Sequence, residues 1–136
     1  MAINKYQRLL KTSQKLGETS DCSVMALAIA GQVTYPQARA ALKVFGRKKG
    51  QGVYDTQILN AAHKLGIGTR RFYPKTDKGN LFTARSIGKV YPKGHYIVSY
   101  SGHVAAMVNG EVLDWTADKA HKVLNVWEMA KGGVMK

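Results

Sequence analysis

His103-Val104-Ala105-Ala106-Met107-Val108, then Asn109-Gly110, then Glu111-Val112-Leu113-Asp114-Trp115, is the stretch that decides the fold. Two apolar runs flank an Asn-Gly pair, and a tight hairpin needs two turn residues that accept positive φ. The spacing predicts an antiparallel hairpin in which Val108 pairs with Glu111, Met107 with Val112, Ala106 with Leu113 and Ala105 with Asp114. Side chains alternate between the faces of a sheet, so His103, Ala105, Met107, Val112 and Asp114 project the same way. Asp114 is then a diagonal neighbour of His103, roughly 7–8 Å away at the backbone, a gap that an imidazole and a carboxylate can close. A slip of one residue would put the two on opposite faces.

Working outward, Val123 to Glu128 reads as a last strand that completes the sheet, and His95 to Tyr100 as a strand launched by the Pro92-Lys93-Gly94 turn. Thr69 to Tyr73 is β-branched and aromatic and reads as a further strand. Between them, 74–80 is a polar surface loop and Thr83 to Gly88 one helical turn. Before Gly68 the pattern is helical. Ile3, Tyr6, Leu9, Leu10 and Leu16 mark an amphipathic helix over 3–16, stopped by Gly17. Cys22 to Ala30 is apolar on nearly every side and ends at Gly31, which predicts a short helix buried all round, with Asp21 or Ser20 as its N-cap. Two more helices are expected over 35–45, opened by Thr34 and Pro36 and closed by Gly46, and over 55–65. The cationic, glycine-rich stretch 47–52 between them should be an exposed loop. Helices first and an antiparallel sheet after define an α+β domain spanning 1–136, without internal repeat or linker.

Composition narrows the classes. With 136 residues, 45% of them hydrophobic, the chain fits one globular domain. Its single cysteine, Cys22, excludes an internal disulfide and a cysteine-based zinc cluster, and fits a reducing compartment. No phosphate loop, paired-histidine zinc helix or other metal or cofactor motif is present. The longest apolar run, Val24 to Ala30, is far short of a membrane span, and Lys5, Arg8, Lys11 and Lys15 break the first apolar stretch before it resembles an export signal. A soluble cytoplasmic protein is expected.

The chemistry centres on Cys22. In the first turn of a helix, unpaired backbone N–H groups and the helix dipole favour a thiolate, although a lone cysteine often serves as a small core filler. A cysteine nucleophile needs an imidazole beside it, and the imidazole needs a third group to fix its tautomer. His63 lies in a helical segment beside lysine, His121 in a polar connection and His95 just after a turn. His103, sharing its face with Asp114, is the best placed.

Asp21-Cys22-Ser23-Val24-Met25-Ala26-Leu27-Ala28-Ile29-Ala30, followed by Tyr35-Pro36-Gln37-Ala38, resembles the start of papain-like cysteine peptidases, especially the compact bacteriocin-leader-peptidase-like and phage-encoded forms. Tyr91 to Ser99 and Gly102 to Asp114 are similar to their histidine strand and returning strand. The resemblance runs in order from Ser20 to Trp127, with little of it in 67–90. It implies a central helix carrying the nucleophile Cys22, and a sheet carrying the base His103 and the orienting Asp114. It also implies a protein or peptide substrate, and the host cytoplasm as the location if the chain is phage-encoded. The family places a glutamine or similar donor upstream of the cysteine to stabilise the oxyanion. Here the sixth residue before Cys22 is Leu16, which leaves Gln14, with Ser20 or Thr19 as substitutes, as side-chain candidates beside the Cys22 backbone N–H. A thiol acyltransferase or deamidase would use the same triad.

Lysine and arginine total 21 against 8 acidic residues, a formal charge of +13. Acidic partners are electrostatically favoured. Arg70-Arg71-Phe72-Tyr73 and Lys89-Val90-Tyr91-Pro92-Lys93 interleave rings with cations, as a single-strand nucleic-acid surface does. The competing expectation is therefore a catalytically silent fold of the same kind that binds nucleic acid or an acidic host protein. Oligomeric state is not legible.

Overall fold

The computed structural model describes residues 5–18 and 20–131; Ile3, expected to open the first helix, lies outside them. Four helices, α1 (Lys5–Lys15), α2 (Cys22–Gly31), α3 (Tyr35–Val44) and α4 (Asp55–Lys64), precede five strands, β1 (Ile67–Phe72), β2 (His95–Tyr100), β3 (His103–Val108), β4 (Glu111–Val112) and β5 (Asn125–Lys131). The strands form one antiparallel sheet in the order β1-β5-β2-β3-β4, so the α+β expectation holds.

Helix α2 sits at the centre because it has no polar face to offer water. Every residue from Ser23 to Gly31 is buried, against α1, α3 and α4 on one side and β2, β3 and β5 on the other. Fully buried Leu27 and Ile29 each gain about 1.5–3 kcal/mol by leaving water. The expected stop at Gly31 is displaced: Gly31 is helical, and Gln32 takes the left-handed cap at φ 58°. Gly31 also lets Ile67 pack close, since a Cβ on it would lie 2.6 Å from the Ile67 terminal methyl carbon and make that side chain shift.

Alternation along β2 and β3 divides two cores. Ile97, Val104 and Ala106 face α2, whereas Tyr96, Val98, Tyr100, Ala105 and Met107 face the opposite layer. That layer is the connection after β1 together with the stretch before β5, which contribute Ala84, Ile87 and Val123.

Several boundaries differ from expectation. The first strand begins at Ile67, because buried Ile67 extends the sheet directly from the left-handed turn at Gly66. The helical turn expected over 83–88 is a 3-10 turn at Ile87–Lys89. The last strand starts two residues later than expected and runs to Lys131, and it lies inside the sheet between β1 and β2. The returning strand of the hairpin is shorter than expected. Leu113 N–H still bonds Ala106 C=O at 2.9 Å, but Asp114 then turns the chain by taking the Thr116 N–H on its carboxylate at 2.7 Å.

Arg47 is also a correction, being buried rather than exposed like its neighbours Lys48 and Lys49. The fully buried Glu18 carboxylate accepts from Arg39 at 2.6 Å, from both Arg47 terminal nitrogens at 3.0 and 3.2 Å and from the Gly50 N–H at 3.0 Å. This network clamps the chain between α1 and α2 to α3 and to the loop that follows it. Among the described residues, no helix is long and apolar enough to cross a membrane.

Candidate active site

Cys22 is the first residue of α2, half-buried, where the helix start meets the ends of β2 and β3. The expected cap is absent. Asp21 stands at the cap position without a side-chain cap bond, because its Oδ2 accepts from Ser13 and from the Tyr35 hydroxyl, each at 2.6 Å. The first N–H groups of α2 are therefore left without a carboxylate cap.

The hairpin register is as the sequence predicts, with Met107 opposite Val112 and Val108 opposite Glu111. Asn109 and Gly110 carry φ of 50° and 81°, the conformation that makes the turn tight. Parity then puts His103 and Asp114 on one face, and His103 Nε2 lies 2.6 Å from Asp114 Oδ2. Cys22 and His103 line the same two cavities, and each shifts the proton affinity of the other, with Nδ1 the ring nitrogen that Asp114 leaves open. The three predicted catalytic residues thus meet in one place, His103 bonded to Asp114 and coupled electrostatically to Cys22.

The charges follow from that chain. Burial pushes the Cys22 thiol up, but the neighbouring His103, as donor and as charge, and the Val104 and Ser23 backbone amides together lower it. Burial alone would depress His103, yet Asp114 and Cys22 hold it charged, raised to about 9. Asp114 is lowered against its own burial by His103 and by two bonds from Thr116. Both shifts favour a thiolate beside an imidazolium, a nucleophile paired with a proton donor.

Sequence reasoning missed the residues that hold this pair. Thr116 is fully buried, and its N–H and hydroxyl both donate to Asp114 Oδ1. Tyr100 bonds the Thr116 hydroxyl at 3.0 Å. Trp115, 57% exposed, packs its ring 5.0 Å from His103. The signal for Thr116 was present in the Asp-Trp-Thr triplet, since an aspartate often accepts the N–H two residues on.

Two cavities meet at Cys22 and His103. One, of about 480 Å³, is floored by Leu10, Met25, Ala26, Ile29 and Leu113, and its wall carries Tyr6 and Ser20. The other, of about 550 Å³, runs past Tyr54, Asp55, Ser99 and Asn125. Gly52 lines both. Of the side chains expected at the oxyanion position, Ser20 borders the first cavity, Gln14 is exposed on α1 and lines neither, and Thr19 lies outside the described residues. Among the described residues, no group of three or more His, Cys, Asp or Glu side chains is arranged to hold a metal ion.

An α+β fold thus brings a cysteine, a histidine and an aspartate together at the junction of an open cleft. Compared with family models, with curated proteins and with solved structures, the chain finds no match in any of the three.

Proposed function

We propose that the chain is a compact papain-like cysteine peptidase, a thiol hydrolase of amide bonds of the phage-encoded type. The observation that carries this reading is the chain Cys22–His103–Asp114, with the sulfur lowered and the imidazole raised, at the meeting point of two cavities. Sequence resemblance between Ser20 and Trp127 supports it.

The thiolate of Cys22 adds to the amide carbonyl carbon, forming the C–S bond as the carbonyl π pair moves onto oxygen. On collapse that pair re-forms C=O, the C–N bond breaks, and the leaving nitrogen takes the proton of His103. The now neutral imidazole removes a proton from water, whose oxygen attacks the thioester. As the C–S bond breaks and its electron pair returns to sulfur, the acid product leaves with its new C–O bond, and the thiolate–imidazolium pair is restored. Asp114, bonded to Nε2, holds the tautomer that points Nδ1 at sulfur.

The test is mass spectrometry of new peptide termini in host lysate treated with the wild type or with Cys22→Ala. Termini that need Cys22 support peptidase action. Identical termini in both, together with Cys22 alkylating only as fast as an ordinary thiol, overturn it.

A second reading, a silent cleft whose basic surface binds nucleic acid or an acidic protein, is favoured by where the acids go. Glu18, Asp21, Asp55, Asp114 and Glu128 are engaged with other side chains, while Asp77, Glu111 and Asp118 are exposed. The outer field is therefore strongly positive. Binding that weakens steeply with salt, with Cys22→Ala as effective as the wild type, would select this reading.

A further inference from the structure

The first cavity holds a phenol that the sequence reading used only as a helix-face residue. Tyr6 lies on α1 one turn before Leu10, half-buried, in the wall of the cavity that contains Cys22, His103 and Asp114. Its hydroxyl has no hydrogen-bond partner among the described residues, unlike Tyr35 and Tyr100, whose hydroxyls are both bonded. We propose that the Tyr6 hydroxyl is the side-chain donor of the oxyanion hole, acting with the backbone N–H of Cys22. This rests on the hydrolase reading.

When sulfur adds to the carbonyl carbon, a full negative charge develops on oxygen and needs donors aimed at it in a site poor in water. The start of α2 supplies the Cys22 N–H, which Asp21 does not cap. A second donor has to come from the cavity wall. Gln14 does not line it, and Ser20 and Trp115 are exposed, where water competes for their hydrogen bonds. Tyr6 is the more sheltered donor. Burial raises its proton affinity first, and the charges of Asp114, Asp21 and Cys22 add to this, so the phenol keeps its proton throughout the range in which a thiolate works. Those same charges show that the hydroxyl shares the electrostatic neighbourhood of the sulfur.

The probe is p-nitrophenyl acetate, whose acyl group transfers to Cys22 through a tetrahedral oxyanion and releases p-nitrophenolate. Iodoacetamide is the companion, because it alkylates the same thiolate by displacement and forms no oxyanion. Tyr6→Phe removes the hydroxyl alone. Its burst of p-nitrophenolate should slow roughly 10- to 100-fold, while its rate with iodoacetamide and the pH dependence of that rate match the wild type. A burst unchanged in Tyr6→Phe overturns the role of Tyr6 and leaves the hydrolase reading standing. A parallel fall in both rates also overturns it, because Tyr6 would then act on the thiolate or on the fold. A wild type that reacts with iodoacetamide yet gives no burst overturns the hydrolase reading and the Tyr6 role together.

Discussion

The imidazole of His103 lies parallel to the phenol ring of Tyr100, their planes 6° apart and their centroids 5.9 Å apart. The two residues are direct partners at the closing rung of the β2–β3 hairpin, so backbone pairing sets the stack. The Trp115 ring is tilted against the same imidazole at 5.0 Å. A ring packed against two aromatics cannot swing out of its plane freely. It therefore keeps Nε2 on Asp114 and the ring beside Cys22 in the cleft.

That fixed pair sets the pH dependence. Against its burial, His103 is raised to about 9 by Asp114 and Cys22, and Cys22 is lowered against its burial by His103. Hydrolysis should follow a bell whose alkaline limb lies near 9, where the imidazolium loses the proton that the leaving group needs. Alkylation of Cys22 by iodoacetamide should already be fast at about pH 7, below the ordinary thiol value of about 8.5. Asp114→Asn should draw the alkaline limb downward and slow turnover by roughly 100-fold or more, since the two Thr116 donors hold Oδ1 and leave the amide NH2 facing Nε2, which favours the wrong tautomer. Alkylation that rises only through the ordinary thiol range would refute the pairing. The stability held by His103 runs the same way: a raised base contributes fully below its unfolded value of about 6.5 and loses that contribution as pH climbs through 9.

Behind the carboxylate, the direction of each hydrogen bond can be assigned. Thr116 gives its hydroxyl proton to Asp114 Oδ1, so the 3.0 Å contact with Tyr100 must be donated by the phenol. Tyr100 is pushed up to about 12 by its burial and the nearby Asp114, and it stays a donor. Thr116→Val keeps the shape and leaves Tyr100 and Asp114 each one bond short. It should cost about 1–3 kcal/mol in urea unfolding and raise the Asp114 carboxyl, while Thr116→Ser restores both. An unchanged unfolding midpoint and an unchanged Asp114 titration in Thr116→Val would remove Thr116 from the chain.

The hairpin was legible because its information is local. Asn109-Gly110 demands positive φ at two adjacent positions, and once the turn is fixed, parity alone puts His103 with Asp114. The helix of Cys22 was legible for a similar reason, as a run without a polar face has only one place to go. What failed was set by partners distant in sequence. Asp21 reads as a cap, but Ser13 and Tyr35 compete for its carboxylate. Gly31 reads as a stop until Ile67 is seen against it. No local preference says that β5 inserts between β1 and β2, nor that Arg47, in a run of exposed cations, turns inward to Glu18. Tyr6 carried the apolar face of α1 in the sequence reading; its open hydroxyl appears only once α1 borders the cleft.

The Glu18–Arg47 pair gives a stability prediction with a defined sign. Both side chains are almost completely buried, at 0% and 2% exposure. The Arg47 and Arg39 guanidiniums and the Gly50 amide outweigh burial and hold the Glu18 carboxyl at about 2, against an ordinary 4.5. A depressed acid contributes its stability above the unfolded value and loses it as pH falls toward the folded one. This part of the wild-type stability, roughly 3 kcal/mol by linkage, should disappear between about pH 4.5 and 2. Glu18→Gln removes the charge with little change of shape and strands Arg47 in the interior. At neutral pH it should lose about 3–5 kcal/mol, and its unfolding free energy should no longer show that acid limb. Because the carboxylate also holds the Gly50 amide, two residues before the Gly52 that lines both cavities, amide exchange at Gly50 should quicken in the same variant. A variant as stable as the wild type, with an unaltered acid limb, would show that the buried pair does not clamp the loop.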